Sequence, residues 1–316
     1  MKTILNNKFF EYSFIVFPVW IFFVYYPSKI LLPFSDELIF LIFLTLFGET
    51  HFASTYLFFF DNKNFSWIKK NFFKILIIPI CLLIIYIIIG LNSLKAAIII
   101  GAIASGIHVT RQSIGIQRIY SSNRNVYYEY CTYFFSFLFL AIGFLRFYYN
   151  ELADLFNMSI FYNETVTIKI FYIIVFIVGV MISISDKDNI KKKFTNLTGV
   201  LMFAPYLFTN NIYDAAIIGV GMHWCQYLAI NYKVYFSNTA VFDYRKKIYI
   251  LSLILIYSLI MSMLGYKSNF YPDLITISLM IPLSGQLIHY YLDAFIWKFS
   301  DDYIRNSVGK RLFDKN

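Results

Sequence analysis

Four histidines are the chain's most informative residues, because each stands inside an apolar run, where an ionisable group is costly to a membrane protein. They occur in GETHFAS (His51), GIHVTRQ (His108), GMHWCQYLAI (His223) and IHYYLDAFIWK (His289). Imidazole suits iron, copper and zinc, so four that converge would make a metal site. Two repeated features of the flanks favour that chemistry. A glycine lies two to four positions before each histidine (Gly48, Gly106, Gly219 with Gly221, and Gly285), which lets helix axes come close. A polar side chain follows three or four positions later on the same helical face: Ser54 and Thr55, Arg111 and Gln112, Gln226 and Tyr227, and Asp293. A ligating imidazole donates its other N–H to an outer acceptor, a role open to Gln112, Gln226 and Asp293, with Tyr227 beside them.

Glu49, Arg111 and Asp293 are the charged groups in the same segments and the candidates for a catalytic part. Glu49 lies about 200° around an α-helix from His51, so it is expected to pair with Arg111, whose guanidinium needs a counter-charge at this depth. Asp293 is equally open to a pairing with Arg111. If Glu49 and Asp293 both turn inward, a dinuclear carboxylate–histidine site results. Cys81, Cys131 and Cys225 form neither a CxxC pattern nor a disulfide framework, and Cys225 points away from His223. Trp67, Trp224 and Trp297 are expected to pack or to sit in an interfacial belt. A single membrane histidine is better read as a hydrogen-bonding link between helices. The four together differ from that reading in their shared depth.

That depth follows from the elements that must carry them. Only 14% of the residues are charged, against about 25% in soluble domains, and the 36 Phe and 27 Tyr suit lipid contact and interfacial belts. A spanning helix needs about 20 apolar residues. Ten segments qualify or nearly do, at about residues 9–27, 37–60, 72–92, 95–119, 127–149, 166–185, 194–209, 211–233, 247–266 and 274–298; the seventh is short and contains Pro205. Of the 27 Lys and Arg, ten spans leave Lys29, Lys95, Arg146, Lys169 and Lys267 on one side and Arg111 within a span. The rest fall on the side of both termini, and cytoplasmic loops collect such residues.

The expectation is an all-α integral membrane protein, residues 1–316 forming a single polytopic domain of about ten transmembrane helices in one bundle, both termini cytoplasmic. Topology then explains the net charge of +9 without a nucleic-acid partner. The opening MKTILNNK, with no small-residue cleavage site after it, reads as the start of a retained helix. The longest loop, residues 150–165, is expected to be extracytoplasmic. The bias toward Ile, Phe, Lys and Asn suggests an AT-rich genome and a bacterial inner membrane. The oligomeric state is left open.

In this topology the four histidine helices run from outside to inside. The next basic residue is Lys63 after His51, Arg118 after His108, Lys233 after His223 and Lys298 after His289. These intervals are nine to twelve residues, so at 1.5 Å per residue the histidines share a level within about one turn, roughly 15 Å from the cytoplasmic boundary.

In order, the four segments resemble those of the Brp/Blh family of membrane β-carotene dioxygenases, multi-span proteins that bind iron through histidines. That family shows an early membrane histidine, an IHF-like segment, a histidine-rich later helix and a terminal PHxxxxD helix. The corresponding stretches here are GETHFAS, GIHVTRQ, GMHWCQYLAI and IHYYLDAFIWK. Where the family's later helix carries two histidines four apart, this chain has His223 and Tyr227; the aspartate spacing after His289 differs, and the chain has more helices. The resemblance implies that His51, His108, His223 and His289 are iron ligands.

The expected function is that of a membrane-embedded non-haem metal enzyme, with iron first and copper or zinc as alternatives. Four imidazoles leave two positions of an octahedral iron open for dioxygen and substrate. The substrate expected in a dry bundle is a lipid or isoprenoid entering from the membrane, and the enzyme an oxygenase, hydroxylase or desaturase. The HxxxH and HxxHH clusters of membrane desaturases are absent. Two other readings remain: a haem b electron carrier held by histidine pairs, and a transporter using Glu49, Arg111 and Asp293.

Overall fold

Long Ile-, Phe- and Leu-rich runs can satisfy their own backbone inside a membrane as helices. The computed structural model describes residues 3–5, 7–122, 125–156, 165–236, 243–267 and 275–313, and among these it contains helices and no strand. Those used below are, in chain order, α1 (Lys8–Val16), α2 (Trp20–Leu31), α3 (Asp36–Ser54), α4 (Phe73–Asn92), α5 (Leu94–Tyr120), α6 (Val126–Tyr148) and α7 (Val166–Ile184). There follow α8 (Ile190–Leu201), α9 (Gly221–Asn231), α10 (Tyr244–Gly265) and α11 (Ile275–Ile296). Six of them, α3 to α7 and α10, are long and apolar enough to cross a membrane. The pair α1 and α2, bent by 75°, makes a seventh if it is one span.

The bend falls at Pro18, which has no N–H to give and blocks the turn before it. Carbonyls orphaned there need other donors. Gln226 Nε2 donates to the Ile15 carbonyl at 2.7 Å and Thr198 Oγ1 to that of Val16 at 2.8 Å. The segment expected as a span at 194–209 is two pieces: α8 ends at Leu201 and a 3-10 turn, Ala204–Leu207, contains Pro205. Beyond a kink at Tyr148 the chain stays helical to Phe156, so helix continues into the loop expected at 150–165. Residues 157–164 of that loop lie outside the described residues. Two π-helical stretches matter below, Leu44–Glu49 within α3 and Ala216–Val220 just before α9.

The chain forms two compact units. The first is built from Asn7–Phe34 and Gly106–Gln226. Here α7 packs on α6 and α8, and small polar groups join the helices: Gln117 donates to Thr132 at 3.0 Å and Ser136 to the Gly199 carbonyl at 3.5 Å. At the α7–α8 junction Asp188 accepts the backbone N–H groups of Asn189 (2.8 Å) and Ser122 (3.0 Å) and lies 3.3 Å from Lys192 Nζ. Burial pushes the Asp188 carboxyl up, but these bonds outweigh it and hold the group below the ordinary carboxylate range. A depressed folded-state pKa stabilises fully above the unfolded value, near pH 4, and the contribution is lost as pH falls toward the folded value. Stability against unfolding, measured from pH 7 downward, should therefore fall below about pH 4, and Asp188→Asn should flatten that limb.

Gly219 fits against backbone: a Cβ there would lie 2.2 Å from the Met202 carbonyl oxygen. Gly219→Ala should cost about 1–3 kcal/mol, the usual penalty for overpacking. Gly115→Ala, with nothing within 4 Å, should be neutral or gain up to about 1 kcal/mol of helix propensity. Thermal unfolding in detergent separates the two.

The second unit is built from Ser35–Ser105 and Tyr227–Asn316. In it α11 packs on α4 and α10, and α10 lies against the π stretch of α3. Near the end of the chain, Ile304, Val308 and Leu312 are buried at helical spacing, and Arg311 Nη1 is 2.6 Å from Asp61 Oδ2. Tyr303 OH donates to Asn64 Oδ1 at 2.9 Å, so the C-terminal segment is fastened to the loop that follows α3.

Candidate metal centre

In the first unit, α5 carries His108 and α9 carries His223. Their rings meet edge to face, centroids 5.0 Å apart at 89°. His223 is fully buried and His108 partly so. The glycines before them are places of close approach, as expected from small residues. A Cβ at Gly106 would lie 2.6 Å from Leu140 Cδ2, and one at Gly221 would lie 2.6 Å from Ile21 Cδ1. Gln112 is partly buried on α5. Gln226 is buried, and its amide donor is committed to the Ile15 carbonyl, so it caps the break at Pro18.

Arg111 departs from the expectation of an inward-facing charge: it lies on the exposed face of α5. The reason is rotational. Arg111 stands about 200° from Val109 and from Ser113, and those two side chains are buried.

In the second unit, His51 on α3 and His289 on α11 are both buried, with ring centroids 4.4 Å apart at 71°. The Tyr227 ring lies 4.6 Å from His51 and 5.3 Å from His289. Its hydroxyl donates to Asp293 Oδ1 at 2.7 Å and lies 2.9 Å from Thr55 Oγ1. Thr55 Oγ1 is also hydrogen-bonded to His289 Nδ1 and donates to Asp293 Oδ1 at 3.3 Å. Trp297 Nε1 donates to the Tyr227 hydroxyl at 3.3 Å. Asp293 Oδ2 stands 3.7 Å from His289 Nε2. Ser54 donates to the His51 carbonyl at 2.8 Å and accepts from Asn231 at 3.1 Å.

Glu49 is buried at the end of the π stretch and hydrogen-bonds with Gln286. A π turn takes more residues than an α turn, so the α-helical angle does not carry through it. Glu49 and His51 are both inside. A Cβ at Gly285 would meet the Tyr257 hydroxyl oxygen at 2.9 Å, a side-chain contact that can move aside.

No protein-family model, no curated protein and no solved structure matches this chain. Fold analogy is therefore silent, and function has to be argued from the site.

Two features escaped the sequence reading. Trp297, expected in a packing or belt role, brings a partly buried N–H to the Tyr227–Asp293 pair; its position four residues after Asp293, on one helical face, was the available signal. The bond from Thr55 to His289 joins residues 234 positions apart, and no local pattern announces it. With Nδ1 held by Thr55, a metal bound by His289 would take Nε2, the arrangement by which outer partners fix a ligating imidazole.

Proposed function

We propose that His51, His108, His223 and His289 together hold one non-haem metal ion, iron first among the candidates, in an enzyme that acts with dioxygen on a hydrophobic lipid or isoprenoid. The observation that carries this reading is that all four histidines of the chain stand in ring contact with another histidine. Tyr227 follows His223 by one turn on unbroken α9, on the same face, and its ring touches both His51 and His289. The common depth read from the basic residues and the resemblance to the Brp/Blh family point the same way.

Ring spacing favours a non-haem ion over haem. With metal–nitrogen bonds of about 2.0–2.1 Å, two imidazoles bound side by side have centroids roughly 4.5–5.3 Å apart, whereas ligands on opposite faces of a haem are separated by more than about 6 Å. The pairs at 4.4 and 5.0 Å match the first case.

Bound iron would supply dioxygen activation. The residues do the rest: four imidazoles donate nitrogens, Thr55 fixes the His289 ring, and Asp293 accepts from Tyr227 and Thr55. Gln112 and Glu49 are the remaining candidates for holding a ligand or moving a proton. In the same reading the chain crosses a bacterial inner membrane ten times with both termini cytoplasmic, and the substrate enters from the lipid.

Metal analysis of the purified protein together with its visible spectrum is the test. Iron near one per chain without a Soret band is the expected result. A Soret band would select the haem reading, and metal-free protein whose stability ignores His108→Ala would overturn both. A transporter working through Glu49, Arg111 and Asp293 would then be left.

A further inference from the structure

The exposed face of α5 carries a charge where lipid chains should lie. Ile100, Ile103 and Ile107 are 39%, 48% and 42% exposed. Arg111 continues this stripe one turn later, followed by Gly115 and Arg118. Arg118 is already neutralised, its guanidinium forked onto Glu129 at 2.8 and 2.6 Å. No hydrogen bond or ion pair joins Arg111 to another described residue. Gly115 is exposed, and a Cβ there would meet nothing within 4 Å. A gap therefore opens beside Arg111 on the side toward Arg118.

A guanidinium among hydrocarbon chains is expensive unless an anion or water reaches it. Arg111 lies seven residues, or about 10 Å, short of Arg118 along the axis. Even stretched toward the interface, it stays below the level of Arg118. The anion must come to it.

We propose that Arg111 binds the phosphate of an anionic membrane phospholipid, whose headgroup occupies the gap at Gly115 and whose chain lies along Ile107, Ile103 and Ile100. Phosphate suits the planar guanidinium, which it accepts in a two-bond fork. The missing side chain at Gly115 gives the headgroup its way in from the interface, and the isoleucine stripe gives the acyl chain an apolar track. The proposal rests on membrane embedding and is independent of the metal.

Native mass spectrometry of the full chain, incubated with equal phosphatidylglycerol and phosphatidylcholine, tests it. Wild type should retain phosphatidylglycerol in preference by about fivefold, the effect of one cation near an anionic headgroup. Arg111→Gln should bring the ratio close to one, and Arg111→Lys should keep part of the preference. Gly115→Leu, which leaves the charge in place but fills the gap, should also lower it; this variant decides the matter if Arg111→Gln does not fold. Equal retention of the two lipids by wild type, or a preference that survives Gly115→Leu and, where it folds, Arg111→Gln, would overturn the proposal.

Discussion

His223→Ala should cut the metal content of the purified protein from near one per chain to below about a fifth, because losing even an outer partner of a ligand costs 10–100-fold in affinity and losing a ligand costs more. His51→Ala, His108→Ala and His289→Ala should do the same, each measured by elemental analysis after identical purification. The four-way comparison is sharper than any one variant. A shared ion requires all four to fall, whereas two independent pairs would let one pair's variants leave the other pair loaded. Full occupancy in two or more of the variants would mean that the histidines do not serve one site. Thermal unfolding of each variant in detergent separates loss of metal from loss of fold, since both rings of each pair lie against neighbours that would close on a cavity.

Asp293→Ala should be the most damaging change outside the histidines. Its carboxyl accepts from the Tyr227 hydroxyl at 2.7 Å and from Thr55 at 3.3 Å, and stands beside the Trp297 N–H. Tyr227, Thr55 and Asp293 are buried, and each buried polar group left without a partner costs about 1–3 kcal/mol. A loss of roughly 3 kcal/mol or more is expected, read as a large fall in unfolding temperature. Tyr227→Phe removes one donor to Asp293 and the acceptor of Trp297, so about 1–3 kcal/mol is expected. Because the two residues share a bond, the double variant should cost less than the sum of the singles. Strict additivity, or an Asp293→Ala protein as stable as wild type, would show that the network does not hold this end of α11 in place. Metal affinity should fall about tenfold in Asp293→Ala, since the groups that orient His289 lose their common anchor.

Arg111 and Glu49 lie differently from their expected placement, and Gln226 makes a donor bond that its own helix does not announce. All three sit within a turn of a histidine in the sequence, and proximity along a helix says nothing of which side is covered. Arg111 faces out because Val109 and Ser113 occupy the buried side of α5. Gln226 is bound to a carbonyl freed by Pro18, more than two hundred residues earlier. Glu49 comes inside at the end of a π stretch, and apolar residues such as those of LTLFGE are as compatible with an α turn as with a π turn.

The residues alone were enough for the helical, membrane-crossing character and for choosing the histidines as a group. Hydropathy is a local property, and a spanning segment must close its backbone bonds within itself, so neither conclusion needs distant contacts. The pairing of His51 with His289 and of His108 with His223, the bond from Thr55 to His289, and the position of Asp293 beneath Tyr227 and Thr55 came from the packed chain. Each joins side chains from different helices, and which helices meet, at what rotation, is set by the volumes and breaks of every element between them. Small residues such as Gly219, the proline breaks and the π turns fix those rotations together, through contacts that no single segment encodes.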